Sequence, residues 1–205
     1  SCTRSVWIGA AAGFVVVALM LPRRTIIGII LPIAIVGVLA SGLIYHRVSM
    51  SFGEKFAPDT ARLEMLSAGS RMIQDHPFFG VGPERIHTEF PRYYLGSDLT
   101  RFYYGHLHNN IVQIAAERGL LCLAAFFWFI FAIYADLITM LRTAGSNARW
   151  TVFSAIAALT GFLVAGLFEY NFGDSEVLIL LLFIVSLPYG MVRDERKRTE
   201  QAHVG

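Results

Sequence analysis

The chain has 205 residues, 55% of them apolar and only 16% charged, with a mean hydropathy of +0.55; soluble domains carry about 25% charged residues. The few charges are segregated, and together these features exclude an ordinary soluble domain. The net charge of +2 excludes nothing, because the placement of the charges matters more than their sum. Cys2 and Cys122 form no CxxC pair and no metal-ligand spacing, and read as free thiols. The chain opens Ser1-Cys2-Thr3-Arg4 without a recognisable cleavable signal, and reads as the C-terminal part of a longer polytopic protein.

Five apolar runs follow in order: Val6–Leu21, Thr25–Tyr45, Leu120–Leu141, Trp150–Phe168 and Val177–Val192. A spanning helix needs about 20 predominantly apolar residues, and these runs lack the polar stripe of a soluble amphipathic helix. The expected fold is an all-α integral membrane protein of about five transmembrane helices with a large, partly helical extracytoplasmic loop. Residues 1–45 hold two helices, 46–118 the loop, 119–192 three helices and 193–205 a cytoplasmic tail.

Orientation follows from the short connections. Arg23 and Arg24, then Arg142 and Arg149, then Arg193, Arg196, Lys197 and Arg198 mark one side; the connection with Glu169, Asp174 and Glu176 holds no Lys or Arg. By the positive-inside rule the basic connections are cytoplasmic, so 46–118 and Arg4 lie outside. Arg4 either snorkels into headgroups or marks a site, since arginine at membrane depth is costly.

Within the loop, Pro58-Asp59-Thr60 reads as a helix start, and Leu63, Leu66, Met72 and Ile73 are spaced for an amphipathic helix ended by Pro77. Phe78 through Pro83 is a turn that needs glycine. A second short helix is expected from Pro83 to about Arg92. Tyr93, Tyr94, Phe102, Tyr103 and Tyr104 form either an interfacial belt or a platform for sugar rings. His108 stands near the start of a helix that runs from Ile111 through Glu117-Arg118-Gly119 into the third span. His106 and His108 share a face if the segment is extended, but no local set of ligands completes a metal site. Histidine is also the commonest general base.

These residues resemble a known family. His108-Asn109, nine residues, then Gly119 is similar to the signature near the end of the large outer loop in the O-antigen ligase family, which broadly includes O-antigen polymerases and protein O-oligosaccharyltransferases. Arg62-Leu63-Glu64-Met65-Leu66 resembles its Arg-x3-Leu element, Pro77 through Gly82 its Pro-x2-Gly-x-Gly turn, and Thr3-Arg4-Ser5 its Ser-Arg element at the outer end of an earlier helix. One departure is Cys122, where the ligase signature has Gly, Thr or Tyr; it bears on the ligase branch more than on the superfamily.

The resemblance implies a glycosyltransferase in the bacterial inner membrane, its large loop in the periplasm. Such an enzyme moves a glycan from undecaprenyl-pyrophosphate to an acceptor hydroxyl, by inversion, without metal, cofactor, nucleotide sugar or nucleic acid. Ligation to lipid A core is the first reading; a polymerase or a protein-targeted enzyme are the alternatives, and a non-catalytic transporter of lipid-linked glycan is the competitor from another class. Arg4 and Arg62 are expected on the lipid pyrophosphate, since guanidinium pairs two phosphate oxygens and stays charged. His108 is expected as the base, and His106, Asn109, Glu117 and Tyr103 as contacts to substrate. Glu117 otherwise pairs at the surface with Arg118 or Arg85.

Overall fold

The computed structural model describes residues 2–20, 57–96 and 105–204. Among these residues there is no strand, and six helices carry the architecture: α1 Cys2–Met20, α2 Ala57–Asp75, α3 Ile86–Tyr93, α4 Asn110–Thr143, α5 Ser146–Ala165 and α6 Ser175–Val204. Helices α4, α5 and α6 are long and apolar enough to cross a membrane, and α1 holds a shorter apolar stretch, Trp7–Leu19. Phe127, Trp128 and Phe131 on α4 and Ile179, Leu180 and Phe183 on α6 stand exposed. Apolar surface on this scale suits lipid and not water. The expected second span, Thr25–Tyr45, lies outside the described residues.

Helices α1 and α5 run antiparallel and approach closely through small residues. A Cβ on Gly9 would meet the Gly161 carbonyl oxygen at 2.6 Å and Ala165 at 2.8 Å, and one on Gly13 would meet the Ala157 oxygen at 3.0 Å. Between membrane helices the driving force is packing, so side chains that let backbones touch are what hold such a pair together. Ile130, Leu137, Val152, Leu159, Leu181 and Val185 then join α4, α5 and α6 in one apolar core, and Tyr189 donates to Asp136 across α6 and α4.

The expected tail is helical: α6 runs through Pro188 and the basic stretch to Val204. Glu, Arg, Lys and Gln are good helix formers, so the loss of apolar character near Arg193 ends the span without ending the helix. Glu195 on this extension accepts from the backbone N–H groups of Gly145 and Ala148, at 2.9 and 3.0 Å. It thereby caps the start of α5, where unpaired N–H groups and the helix dipole favour an anion.

Helices α2 and α3 pack a second core onto the beginning of α4. Met65, Ala68, Met72, Val81, Ile86 and Phe90 bury against Leu107 and Ala116. Helix α2 ends at Asp75, two residues before Pro77, and the short helix begins at Ile86, later than the sequence indicates. The helix expected to run from the loop into the third span is present as α4, but it bends at Gly119, whose φ is 84°. The Pro77–Gly82 turn fills that bend. Leu120 N–H donates to Pro77, Val81 N–H to Ala116 and Gly82 N–H to Glu117, so the turn takes up backbone groups that the bend leaves unpaired. A Cβ on Gly119 would lie 2.0 Å from the Phe78 oxygen.

Candidate active site

His108 and Glu169 meet at one end of the bundle. Helix α4 begins there, α5 ends there and α6 starts there. Because α1 is antiparallel to α5 and its Gly9 abuts Ala165, the N-terminal turn of α1, with Arg4, reaches the same end. The side chain of Arg4 and the whole of Tyr103 lie outside the described residues.

Asparagine side chains stitch the two backbone segments of the site together. Asn109 caps α4 by accepting from Val112 N–H, and it donates to the Leu167 carbonyl. Asn110 is buried, donates to Asn171 at 2.6 Å and accepts from Phe172 N–H. Its own N–H donates to the Gly166 carbonyl, and Gly166 leaves no room for a Cβ, which would fall 2.1 Å from the Asn110 amide nitrogen. Asn171 in turn donates to Phe162 on α5. These bonds fix residues 166–172 against the start of α4. His108 holds a φ of 50°, a left-handed conformation in which histidine is among the enriched residue types.

The result is a carboxylate–imidazole pair. Glu169 Oε1 lies 2.7 Å from His108 Nδ1 and 3.8 Å from His106 Nδ1. The two imidazoles meet edge to face, centroids 4.3 Å apart, and Tyr170 flanks His106. Burial pulls the Glu169 carboxyl upward, but the hydrogen bond and electrostatic attraction of His108, the attraction of His106 and the Tyr170 N–H outweigh it, and the carboxyl sits below its ordinary value. Burial pushes His106 below the usual histidine range, His108 adds to that, and Glu169 opposes it. With Glu169 ionised, the proton of His108 belongs on Nδ1, which leaves Nε2 with a lone pair. Such an imidazole can accept a proton from a hydroxyl.

The other expected site residues separate into two groups. Arg62 lies on α2 seven residues before Gly69, about two turns, and so on the same face; that face abuts Leu107, the neighbour of His108, and Val112 in the first turn of α4. One terminal nitrogen of Arg62, Nη2, is buried with no hydrogen-bond partner among the described residues. Glu117, by contrast, is buried, and its oxygens accept from Gln113 Nε2 at 2.8 Å and from the Glu84 N–H. Gln113 also accepts from Leu107 N–H. The surface pair with Arg118 or Arg85 is not what forms, and Arg85 bonds Glu89 instead. Glu117 and Asn109 thus hold the fold around the imidazoles.

In the sequence Glu169 stands out only as an acidic residue of a connection without Lys or Arg. It stands 61 residues from His108, with no spacing that points to it. One ligand atom from each of His106, His108 and Glu169 lies within 4.8 Å of the others, so Glu169 supplies the third ligand that the loop alone lacks.

The profile of the O-antigen ligase family matches residues 1–127. The chain belongs to that family. No curated protein matches the chain. The matched residues hold Arg4, Arg62 and both site imidazoles, while Glu169 falls beyond them. Membership makes the protein a membrane protein of the ligase and polymerase kind, acting on lipid-linked glycans and glycan acceptors.

Proposed function

We propose that the protein transfers a glycan from undecaprenyl-pyrophosphate to a hydroxyl of the lipid A core at the periplasmic face of the inner membrane. The observation that carries this reading is the 2.7 Å pair of His108 and Glu169 in a chain of the ligase family. The acceptor hydroxyl attacks the anomeric carbon, its proton passes to His108 Nε2, and the glycosyl–oxygen bond to pyrophosphate breaks. The lipid pyrophosphate leaves with the electron pair, and its charge falls to Arg62 and Arg4, whose guanidinium groups match phosphate oxygens. A single displacement inverts the anomeric centre and needs no metal.

Cys122 favours keeping a second acceptor in view: the same chemistry on a growing glycan, as in a polymerase, or on a protein hydroxyl. A transporter fits less well. Intramembrane ionisable groups mark such paths, whereas the buried polar side chains among the described residues are Glu89, Asn110, Gln113 and Glu117, on α3 or in the first turns of α4.

The test is His108→Ala in the full-length protein in its host, read as the distribution of envelope glycan between lipid carrier and final acceptor. Loss of a positioned base lowers such a step about 10²–10⁴-fold, so carrier-bound glycan accumulates at unchanged protein level. An unchanged distribution removes His108 from the reaction. If the acceptor that goes unmodified is lipid A core, the ligase branch is established; if it is a repeat unit or a protein, the alternative is.

A further inference from the structure

We infer that His106, His108 and Glu169 form a site for a divalent transition-metal ion such as zinc, and that its occupation silences transfer. The binding half stands on geometry alone; the silencing half rests on His108 acting as the base.

Three donor atoms converge within 4.8 Å. His106 Nδ1 and Glu169 Oε2 are buried without a hydrogen-bond partner among the described residues, so two lone-pair donors at the site are not used by the protein. Two imidazole nitrogens and one carboxylate oxygen are the donor set of open zinc sites, in which solvent takes the remaining position. Magnesium and calcium demand six or more oxygen ligands, which this set does not offer; imidazole suits zinc, copper and nickel. Ligand atoms on one tetrahedral zinc stand roughly 3.3 Å apart, from bond lengths of about 2.0–2.1 Å. His106 Nδ1 and Glu169 Oε1, at 3.8 Å, must close slightly; His108 Nδ1 and Glu169 Oε1, at 2.7 Å, must open slightly. The site lies in the connections at the bundle end.

The consequence for the base follows from the tautomer. In the metal-free pair the proton of His108 is on Nδ1 and the lone pair is on Nε2. A metal at Nδ1 takes the lone pair of that nitrogen, so the remaining proton must sit on Nε2. The same imidazole then presents a donor where the acceptor hydroxyl needs an acceptor, and Glu169 is drawn away to the ion. Binding and catalysis are mutually exclusive on one side chain.

The experiment titrates zinc, by calorimetry, into chelator-stripped full-length protein in detergent, with cobalt as an optical probe of coordination. One saturable zinc per chain is expected. His106→Ala and Glu169→Gln each weaken it at least about tenfold and abolish the visible cobalt bands, whereas replacing the exposed His76 and His87 together leaves binding intact. Zinc stops transfer by the wild type, and chelator restores it. Absence of saturable binding, binding unchanged in His106→Ala and Glu169→Gln, or transfer indifferent to bound zinc each overturns the inference. The reading of His108 as base is judged separately, by comparing wild type and His108→Ala in chelator.

Discussion

The two ends of the helix bundle are held by opposite means. At the basic end a single carboxylate, Glu195, reaches from α6 to cap α5 through the N–H groups of Gly145 and Ala148. At the site end Asn109, Asn110 and Asn171 tie two backbone segments together, and Gly166 yields the space that Asn110 needs. A cap tolerates adjustment, because it satisfies whichever N–H groups come near. The asparagine ties fix the position of one short segment against another, as the proposed base and its carboxylate would require, since small misplacements are costly in rate.

This contrast can be broken at its strongest point first. Glu169→Gln should lower transfer about 10²-fold or more while leaving the protein folded, because the amide no longer holds the His108 proton on Nδ1 as a carboxylate does; single-turnover transfer from carrier-linked glycan measures it. The substitution also has a pH signature. The folded carboxyl is held below its ordinary 4.5, so its stabilisation is complete above that pH and is lost as pH falls through the lower folded value. Melting curves of Glu169→Gln should lack that part of the decline.

Gly119→Ala is next. A methyl group at a φ of 84°, 2.0 Å from the Phe78 oxygen, should cost more than about 1–3 kcal/mol and lower the melting temperature and the level of protein in the membrane. Gly190→Ala, with open space around it, is the control and should change neither. Asn110→Ala should cost about 1–3 kcal/mol, because it strands the Phe172 N–H and the Asn171 side chain, and transfer should fall further than stability explains as residues 166–172 loosen. The smallest effect belongs to the other end: Glu195→Ala should lose about 0.5–2 kcal/mol of capping with transfer per folded molecule unchanged. If Glu195→Ala impairs transfer as much as Asn110→Ala does, the ends are not distinct.

The apolar runs made α4, α5 and α6 legible, since charge-free stretches of that length have few other uses. The order of His108, Asn109 and Gly119 marked the loop side of the site. Other features were hidden for physical reasons. Glu169 carries no local signal, because contact between the connection after α5 and the start of α4 depends on tertiary packing. Glu117 reads from the sequence as a contact to substrate or else as a surface charge beside Arg118 or Arg85, yet the helix turns it inward onto Gln113 and the Glu84 N–H. From the sequence the glycines of the turn are needed only by the turn itself. Their partner is the bend in α4, as Gly80 shows: a Cβ there would lie 2.4 Å from the Glu117 carbonyl carbon.

Glu169 comes from the connection between α5 and α6, beyond the stretch that marks the family. The unit of resemblance and the unit of the proposed chemistry therefore have different borders. A chimera that grafts residues 1–127 onto the closing helices of another membrane protein would carry both imidazoles and every arginine of the proposed machinery. It would still lack the anion that, in the proposed reaction, gives one of those imidazoles its proton-accepting face, and under that proposal the connection between α5 and α6 is a reagent as much as a link.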